Sequence, residues 1–122
     1  MPTGVLIVDD NASFLEVARG LLEREGMGVV DVASTTTEAL RRVDELRPDV
    51  VLVDIMLGRE SGFELARRLV RQDGAGPSVI LISTHAEADF ADLIAESPAI
   101  AFLPKSELSA DAIRRILEDR SH

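Results

Sequence analysis

Residues 4–10, Gly4-Val5-Leu6-Ile7-Val8-Asp9-Asp10, run four apolar side chains straight into two adjacent carboxylates. An unbroken Val/Leu/Ile run of this length reads as a strand covered on both faces, the kind found inside a parallel sheet. Ending such a strand on two like charges is unfavourable unless a cation joins them. The rest of the chain has to supply that partner.

Four further short apolar runs follow, at 29–32 (VVDV), 50–53 (VVLV), 79–82 (VILI) and 100–103 (IAFL). The second carries Asp31 and the last is weaker, which suggests edge strands. Segments with helical spacing lie between and after them. Phe14, Val17, Ala18, Leu21 and Leu22 fall on one face, and Gly26 ends that helix. Thr35 to Glu38 reads as a capping box ahead of Ala39, Leu40, Val43 and Leu46, with Pro48 forbidding continuation. Phe63, Ala66, Leu69 and Val70 form a third stripe that stops near Gly74 and Gly76. Phe90, Leu93 and Ile94 form a fourth, closed by Pro98, and Ser109 can cap a fifth carrying Ala112, Ile113, Ile116 and Leu117.

Strand and helix thus alternate five times, which implies right-handed crossovers and a parallel sheet with helices on both faces. Open sheets of this kind bind ligands beyond the carboxyl ends of their strands. The residues there are Asp9 and Asp10 after the first run, Ala33 and Ser34 after the second and Asp54 after the third. Ser83 and Thr84 follow the fourth run, and Pro104 and Lys105 the fifth. Three carboxylates, two hydroxyls and one ammonium are therefore expected at one edge.

A cluster of oxygen ligands without His or Cys selects a hard ion such as Mg²⁺, with Mn²⁺ as a substitute. An Asp carboxylate can attack phosphorus to give an aspartyl phosphate. The transferred group then needs charge balance from metal, ammonium and hydroxyl. Asp54, Lys105 and Ser83 suit those parts, and the acidic pair suits the metal.

Composition narrows the field. The 122 residues are one domain's worth, so a single domain over 1–122 is expected. No cysteine is present, which removes disulfides and thiolate metal sites and fits a cytoplasmic setting. A net charge of −9 with no Trp or Tyr disfavours direct nucleic-acid binding. No run is long enough to span a membrane, and Met1-Pro2-Thr3-Gly4 lacks the basic start of a secretory signal.

With those residues in view, the chain resembles a response-regulator receiver domain of two-component signalling. The likeness rests on VDD at 8–10, LVDIMLGRESG at 52–62, LISTHAEAD at 81–89 and FLPKSEL at 102–108. It implies a flavodoxin-like doubly wound α/β fold, with five parallel strands in the order 2-1-3-4-5 and five helices. It further implies that Asp54 accepts a phosphoryl group from a histidine kinase, a phosphotransfer protein or a small phosphodonor. By the same resemblance Asp10 binds Mg²⁺ directly, Asp9 assists, and the Met56 carbonyl completes the protein ligands. Lys105 pairs with Asp54 at rest and with the phosphoryl oxygens afterward. Ser83 is the switch hydroxyl, Phe102 the aromatic that follows it, and the Ile55 and Thr84 amides are phosphate donors. Met56 and His85 flank the pocket and would tune phosphoryl lifetime. The output surface is the face of the fourth helix, fifth strand and fifth helix, which would also allow a homodimer.

Two departures from the family pattern concern loops. Ser106 stands where a cis-Pro often follows the lysine, and a cis bond before Ser would cost about 2.5–4 kcal/mol, so this loop is expected to differ or be strained. Gly58 stands four residues after Asp54 where Pro is common, and should loosen its loop.

Bland alternatives exist for each residue alone: Asp9 and Asp10 as a solvated strand end, Lys105 as a surface lysine, Ser83 and Thr84 as strand-end hydroxyls, Phe102 as core, Met56 as gap filler, His85 as a loop residue. Rival functions are a Mg²⁺-dependent phosphohydrolase with an aspartyl nucleophile, a small flavodoxin-like binder, and a docking module that is never phosphorylated. Met56 stands where the hydrolase would want a second acid or base. No glycine-rich phosphate loop follows the first strand, where DDNAS stands, so a nucleotide or flavin has no cradle.

Overall fold

The computed structural model describes residues 3–70 and 76–120. In chain order its elements are β1 Gly4–Val8, α1 Ala12–Arg24, β2 Gly28–Ala33, α2 Thr36–Leu46, β3 Val50–Asp54, the two-residue strands β4 Met56–Leu57 and β5 Glu60–Ser61, α3 Gly62–Leu69, β6 Ser78–Ser83, α4 Ala91–Glu96, β7 Ala101–Pro104 and α5 Ala110–Arg120. Short 3₁₀ turns at Glu87–Phe90 and Lys105–Glu107 precede α4 and follow β7.

The main sheet runs β2-β1-β3-β6-β7, all neighbours parallel. Counting only its five strands, the order is 2-1-3-4-5, and the runs with Asp31 and with Phe102 are the edges. Alternate strand residues feed two cores. Val5, Ile7, Val50, Leu52, Ile80 and Ile82 pack under α1 and α5. Leu6, Val8, Val51, Val53, Val79 and Leu81 pack under α2 and α3. The central strands are apolar throughout because both of their faces are covered.

Local signals set the helix ends. Asn11 caps α1 by accepting from the Phe14 amide at 3.1 Å, and Gly26, with φ of 85°, takes the left-handed turn after it. Thr35 caps α2 through the Glu38 amide at 3.1 Å, while the Glu38 carboxylate reaches back to Ser34 N rather than to the cap residue itself. Ser109 caps α5 by accepting from Ala112 N at 3.0 Å.

Several expectations shift. The buried stripe of α1 is Leu15, Ala18 and Leu22, and Val17 is 66% exposed because it lies on the opposite side of those i, i+3, i+7 positions. Leu46 and Leu93 are also exposed rather than inward. α3 stops at Leu69, and Val70 is already extended. Gly74 lies outside the described residues, and Gly76 has φ of 107°.

The loop after Asp54 is not loosened by Gly58. Met56–Leu57 and Glu60–Ser61 pair antiparallel around Gly58-Arg59, and Gly58 has φ of 63° at the first central position. That is the glycine requirement of a type II′ hairpin, so here glycine orders the turn. No cis peptide occurs among the described residues, and Lys105–Glu107 form a 3₁₀ turn. The Lys105–Ser106 bond is thus trans, within a 3₁₀ turn.

Candidate functional site

The parallel register brings the predicted groups to one edge. Asp9 follows β1 directly, its amide donating to Ala33 O at 3.0 Å. Asp54 is the last residue of β3, and Lys105 comes immediately after β7. One oxygen from each of Asp9, Asp10 and Asp54 lies within 4.8 Å of the other two. Asp9 and Asp54 are buried and Asp10 is exposed.

Lys105 is the cation the opening strand demanded. Its Nζ lies 2.5 Å from Asp9 Oδ2 and 3.0 Å from Asp54 Oδ2. Expected as Asp54's partner, it bridges two carboxylates. Burial pushes the Asp9 carboxyl above the usual aspartate range, against the opposing pull of its bonds to Lys105 and to the Asn11 amide. For Lys105 burial works toward a lower value, but its close contacts with the Asp9 and Asp54 carboxylates and their charges outweigh it and leave the ammonium above the ordinary lysine range. The remaining oxygens accept backbone bonds. Asn11 N donates to Asp9 Oδ1 at 2.9 Å and Met56 N to Asp54 Oδ1 at 3.0 Å.

Asp9 Oδ2 is fully buried, with an ion pair to Lys105 but no directed hydrogen bond. A buried carboxylate oxygen in that condition, beside two more carboxylates and no His or Cys, fits a hard divalent cation. A Cβ at Gly58 would stand 3.4 Å from Asp10 Oδ2, an ordinary van der Waals contact, so it is the positive φ rather than space beside Asp10 that calls for glycine.

Ser83 is buried at the end of β6, next to Pro104 across the strand pair. Its Oγ accepts from His85 N at 2.9 Å and lies 3.4 Å from His85 Nδ1, so its bonds face His85 rather than the carboxylates. The His85 ring meets Phe90 edge-on at 5.7 Å, and Phe90 lies 6.3 Å from Phe63. Phe102 is half-buried against the α2–α3 core, and Thr84 is exposed just beyond β6. Met56 is 50% exposed beside the carboxylates.

The amide assignment moves by one residue. Ile55 N donates to Ile82 O at 3.1 Å within the sheet, so it is not free to face a phosphate. The amide directed at the Asp54 carboxylate is that of Met56.

Two participants, Gly62 and Phe14, escaped sequence reading. Gly62 packs so closely on β3 that a Cβ would fall 2.0 Å from Asp54 O, and its amide donates to Ile55 O at 3.0 Å. Phe14 places its ring 4.2 Å from Lys105 Nζ. Lys105 is also the sole lysine of the chain, the other twelve of its 13 basic residues being arginine. That count was readable and singles the residue out. A recess of about 460 Å³, lined by Leu40, Val43, Pro48, Leu69 and Pro77 among others, lies at the opposite, amino edge of the sheet and gathers none of these groups.

Comparison with known proteins decides the family. The model of the response regulator receiver domain matches residues 5–118. The chain belongs to that family. Over 114 residues the receiver is 35% identical to the DNA-binding response regulator MtrA of Mycobacterium tuberculosis, covering 92% of this chain and 48% of MtrA. It is 34% identical over 105 residues to a protein-glutamate methylesterase/protein-glutamine glutaminase of Hahella chejuensis, covering 84% of this chain and 30% of that protein. Among solved structures, the signal receiver domain of the putative response regulator NarL from Mycobacterium tuberculosis superposes with a TM-score of 0.82 at 27% identity, covering 97% of this chain and 95% of that one. The receiver thus spans less than half the length of these curated relatives. Among its described residues no helix is long and apolar enough to cross a membrane.

Proposed function

We propose that this receiver takes a phosphoryl group onto Asp54 from the phosphohistidine of a sensor kinase or phosphotransfer protein, or from a small phosphodonor. The observation that carries the reading is the lysine bridge, Lys105 Nζ within 3.0 Å of both Asp9 and Asp54, in a site where Asp10 also faces the cluster. In the transfer an Asp54 carboxylate oxygen forms the new bond to phosphorus. The bond from phosphorus to the imidazole nitrogen breaks, and its electron pair stays on the imidazole.

Asp10, Asp9, Asp54 and the Met56 carbonyl would hold Mg²⁺, or Mn²⁺ in its place. When bound, that ion supplies positive charge against the phosphoryl oxygens. The chain's own groups do the rest. Lys105 exchanges the Asp54 carboxylate for phosphoryl oxygens while keeping Asp9. The Met56 amide, now on Asp54 Oδ1, holds the carboxylate and then donates toward the phosphoryl group, as does the Thr84 amide. Ser83 turns from His85 to donate to a phosphoryl oxygen, and Phe102 moves into the space vacated. Half-exposed Met56 shields the acyl phosphate from water, and His85 governs how water approaches.

On this reading residues 1–122 form one receiver unit that catalyses only its own phosphorylation and slow dephosphorylation. Its signal is a changed α4–β7–α5 face, which docks partners or a second copy and does not bind nucleic acid. A cytoplasmic location follows from the partners, not from the fold.

Incubation with Mg²⁺ and phosphoramidate, read by intact mass, tests the reading. One added phosphoryl group that persists and is absent from Asp54→Asn supports it. Rapid multiple turnover would point to a hydrolase, and no modification to a docking module.

A further inference from the structure

The chain's single lysine is held on a third side by an aromatic ring, and that ring is tied to the acidic site by a closed circuit of contacts. Asn11 N donates to Asp9 Oδ1 at 2.9 Å, and Asn11 Oδ1 accepts from Phe14 N at 3.1 Å. The Phe14 ring lies 4.2 Å from Lys105 Nζ, which returns to Asp9 Oδ2 at 2.5 Å. These backbone bonds fix the first turn of α1, and with it the Phe14 Cα, on the Asp9 carboxylate. The Lys105 side chain is only 12% exposed, and a ring face attracts a desolvated cation more strongly than one in open water.

We propose that Phe14 is a positioning residue for phosphoryl transfer, its ring face holding the Lys105 ammonium at the point from which it serves both Asp9 and the phosphoryl group on Asp54. The inference rests on the reading of Asp54 as phosphoacceptor. During transfer one of the ammonium's two carboxylate contacts must be exchanged for phosphoryl oxygens. A flexible four-carbon stem does not by itself keep the head group in place through that exchange. The ring supplies an attraction that is independent of which oxygens the ammonium faces. Phe14 also packs against the α1–α5 core, so a purely structural role has to be separated from the electrostatic one.

Fluorination separates them. Each fluorine weakens the negative face of the ring while leaving its shape nearly unchanged. Mono-, di- and trifluorophenylalanine placed at position 14 should slow phosphorylation by phosphoramidate in graded steps at saturating donor, while the Mg²⁺ concentration for half-maximal rate and the unfolding midpoint stay constant. Phe14→Leu should lose about three- to tenfold in that rate, and Phe14→Tyr should restore most of it. Because the chain has one lysine, ε-¹³C-lysine labelling gives one Lys105 signal. Its Hε protons should be shifted upfield by the ring and return toward free lysine in Phe14→Leu. A flat fluorine series in a chain that is phosphorylated, or an unshifted Hε signal, overturns the inference alone. A wild-type chain that takes no phosphoryl group overturns the functional reading and the inference with it.

Discussion

Lys105 lies nearer to Asp9, at 2.5 Å, than to Asp54, at 3.0 Å, and Asp9 is the more deeply buried of the two carboxylates. If Asp54 is the phosphoacceptor, as proposed, the lysine keeps a contact on the carboxylate that does not receive phosphate. It can release Asp54 without losing its place, which is what a group serving both the resting and the phosphorylated state requires.

Removing the ammonium should leave Asp9 as an uncompensated buried charge. Lys105→Met is expected to lose about 3 kcal/mol of stability in urea unfolding without metal. Added Mg²⁺ should recover more of that loss than it adds to wild type, because a cation returns to the carboxylates. Lys105→Arg should phosphorylate at least tenfold more slowly, since a planar fork cannot replace a compact ammonium between two carboxylates. Equal Mg²⁺ stabilisation of wild type and Lys105→Met would contradict this.

The pH dependence of stability follows from the same pair. With its folded value raised above its unfolded one, Asp9 favours folding while protonated. Its contribution is fully present below the ordinary aspartate value and is lost as pH rises through the raised one. Without metal, wild-type stability minus that of Asp9→Asn should therefore fall as pH climbs through that window. For Lys105, also raised, the contribution is full below the ordinary lysine value and is lost at more alkaline pH. The stability gap between wild type and Lys105→Met should accordingly close in strong alkali. A wild-type minus Asp9→Asn difference that grew with pH in the acid window would refute the burial argument.

Gly62→Ala should disturb both fold and site. Its Cβ would collide with the Asp54 carbonyl and with Ile55 Cα, all backbone atoms, so the backbone must move. A loss of about 1–3 kcal/mol or more is expected, together with slower phosphorylation. A change within about 0.5 kcal/mol would mean that the α3–β3 contact is looser than described.

Replacing Met56 by Asn removes a half-exposed apolar side chain next to the proposed acyl phosphate and adds a group able to orient water. The phosphorylated form should decay several-fold faster, measured by timing phosphate loss. An unchanged lifetime would rule out shielding.

Legibility in the sequence tracked how local each cause was. Apolar runs covered on both faces announced the strands, and the first two residues beyond each run announced Asp9, Asp10, Asp54, Ser83 and Lys105, because a parallel sheet aligns its strand ends. Asn11 and Thr35 sit beside the amides they cap, so helix starts were readable too. What was not readable depended on contacts between distant segments. Gly62 matters through a backbone approach to Asp54, and Phe14 through a lysine 91 positions away. Val17 and Leu93 fit an apolar stripe but fell outside the face that the sheet covers. The Gly58 loop was misjudged because the same residue that loosens a chain also permits a tight hairpin.

The central claim concerns where the phosphoryl group lands. After treatment with phosphoramidate and Mg²⁺, borohydride reduction converts an aspartyl phosphate to homoserine, and peptide mapping locates it. Homoserine at position 54 alone, lost without Mg²⁺ and reduced at least tenfold in Lys105→Met, is the predicted result. Homoserine at Asp9 or Asp10, or none at position 54 in a chain that carries the added mass, would contradict the account.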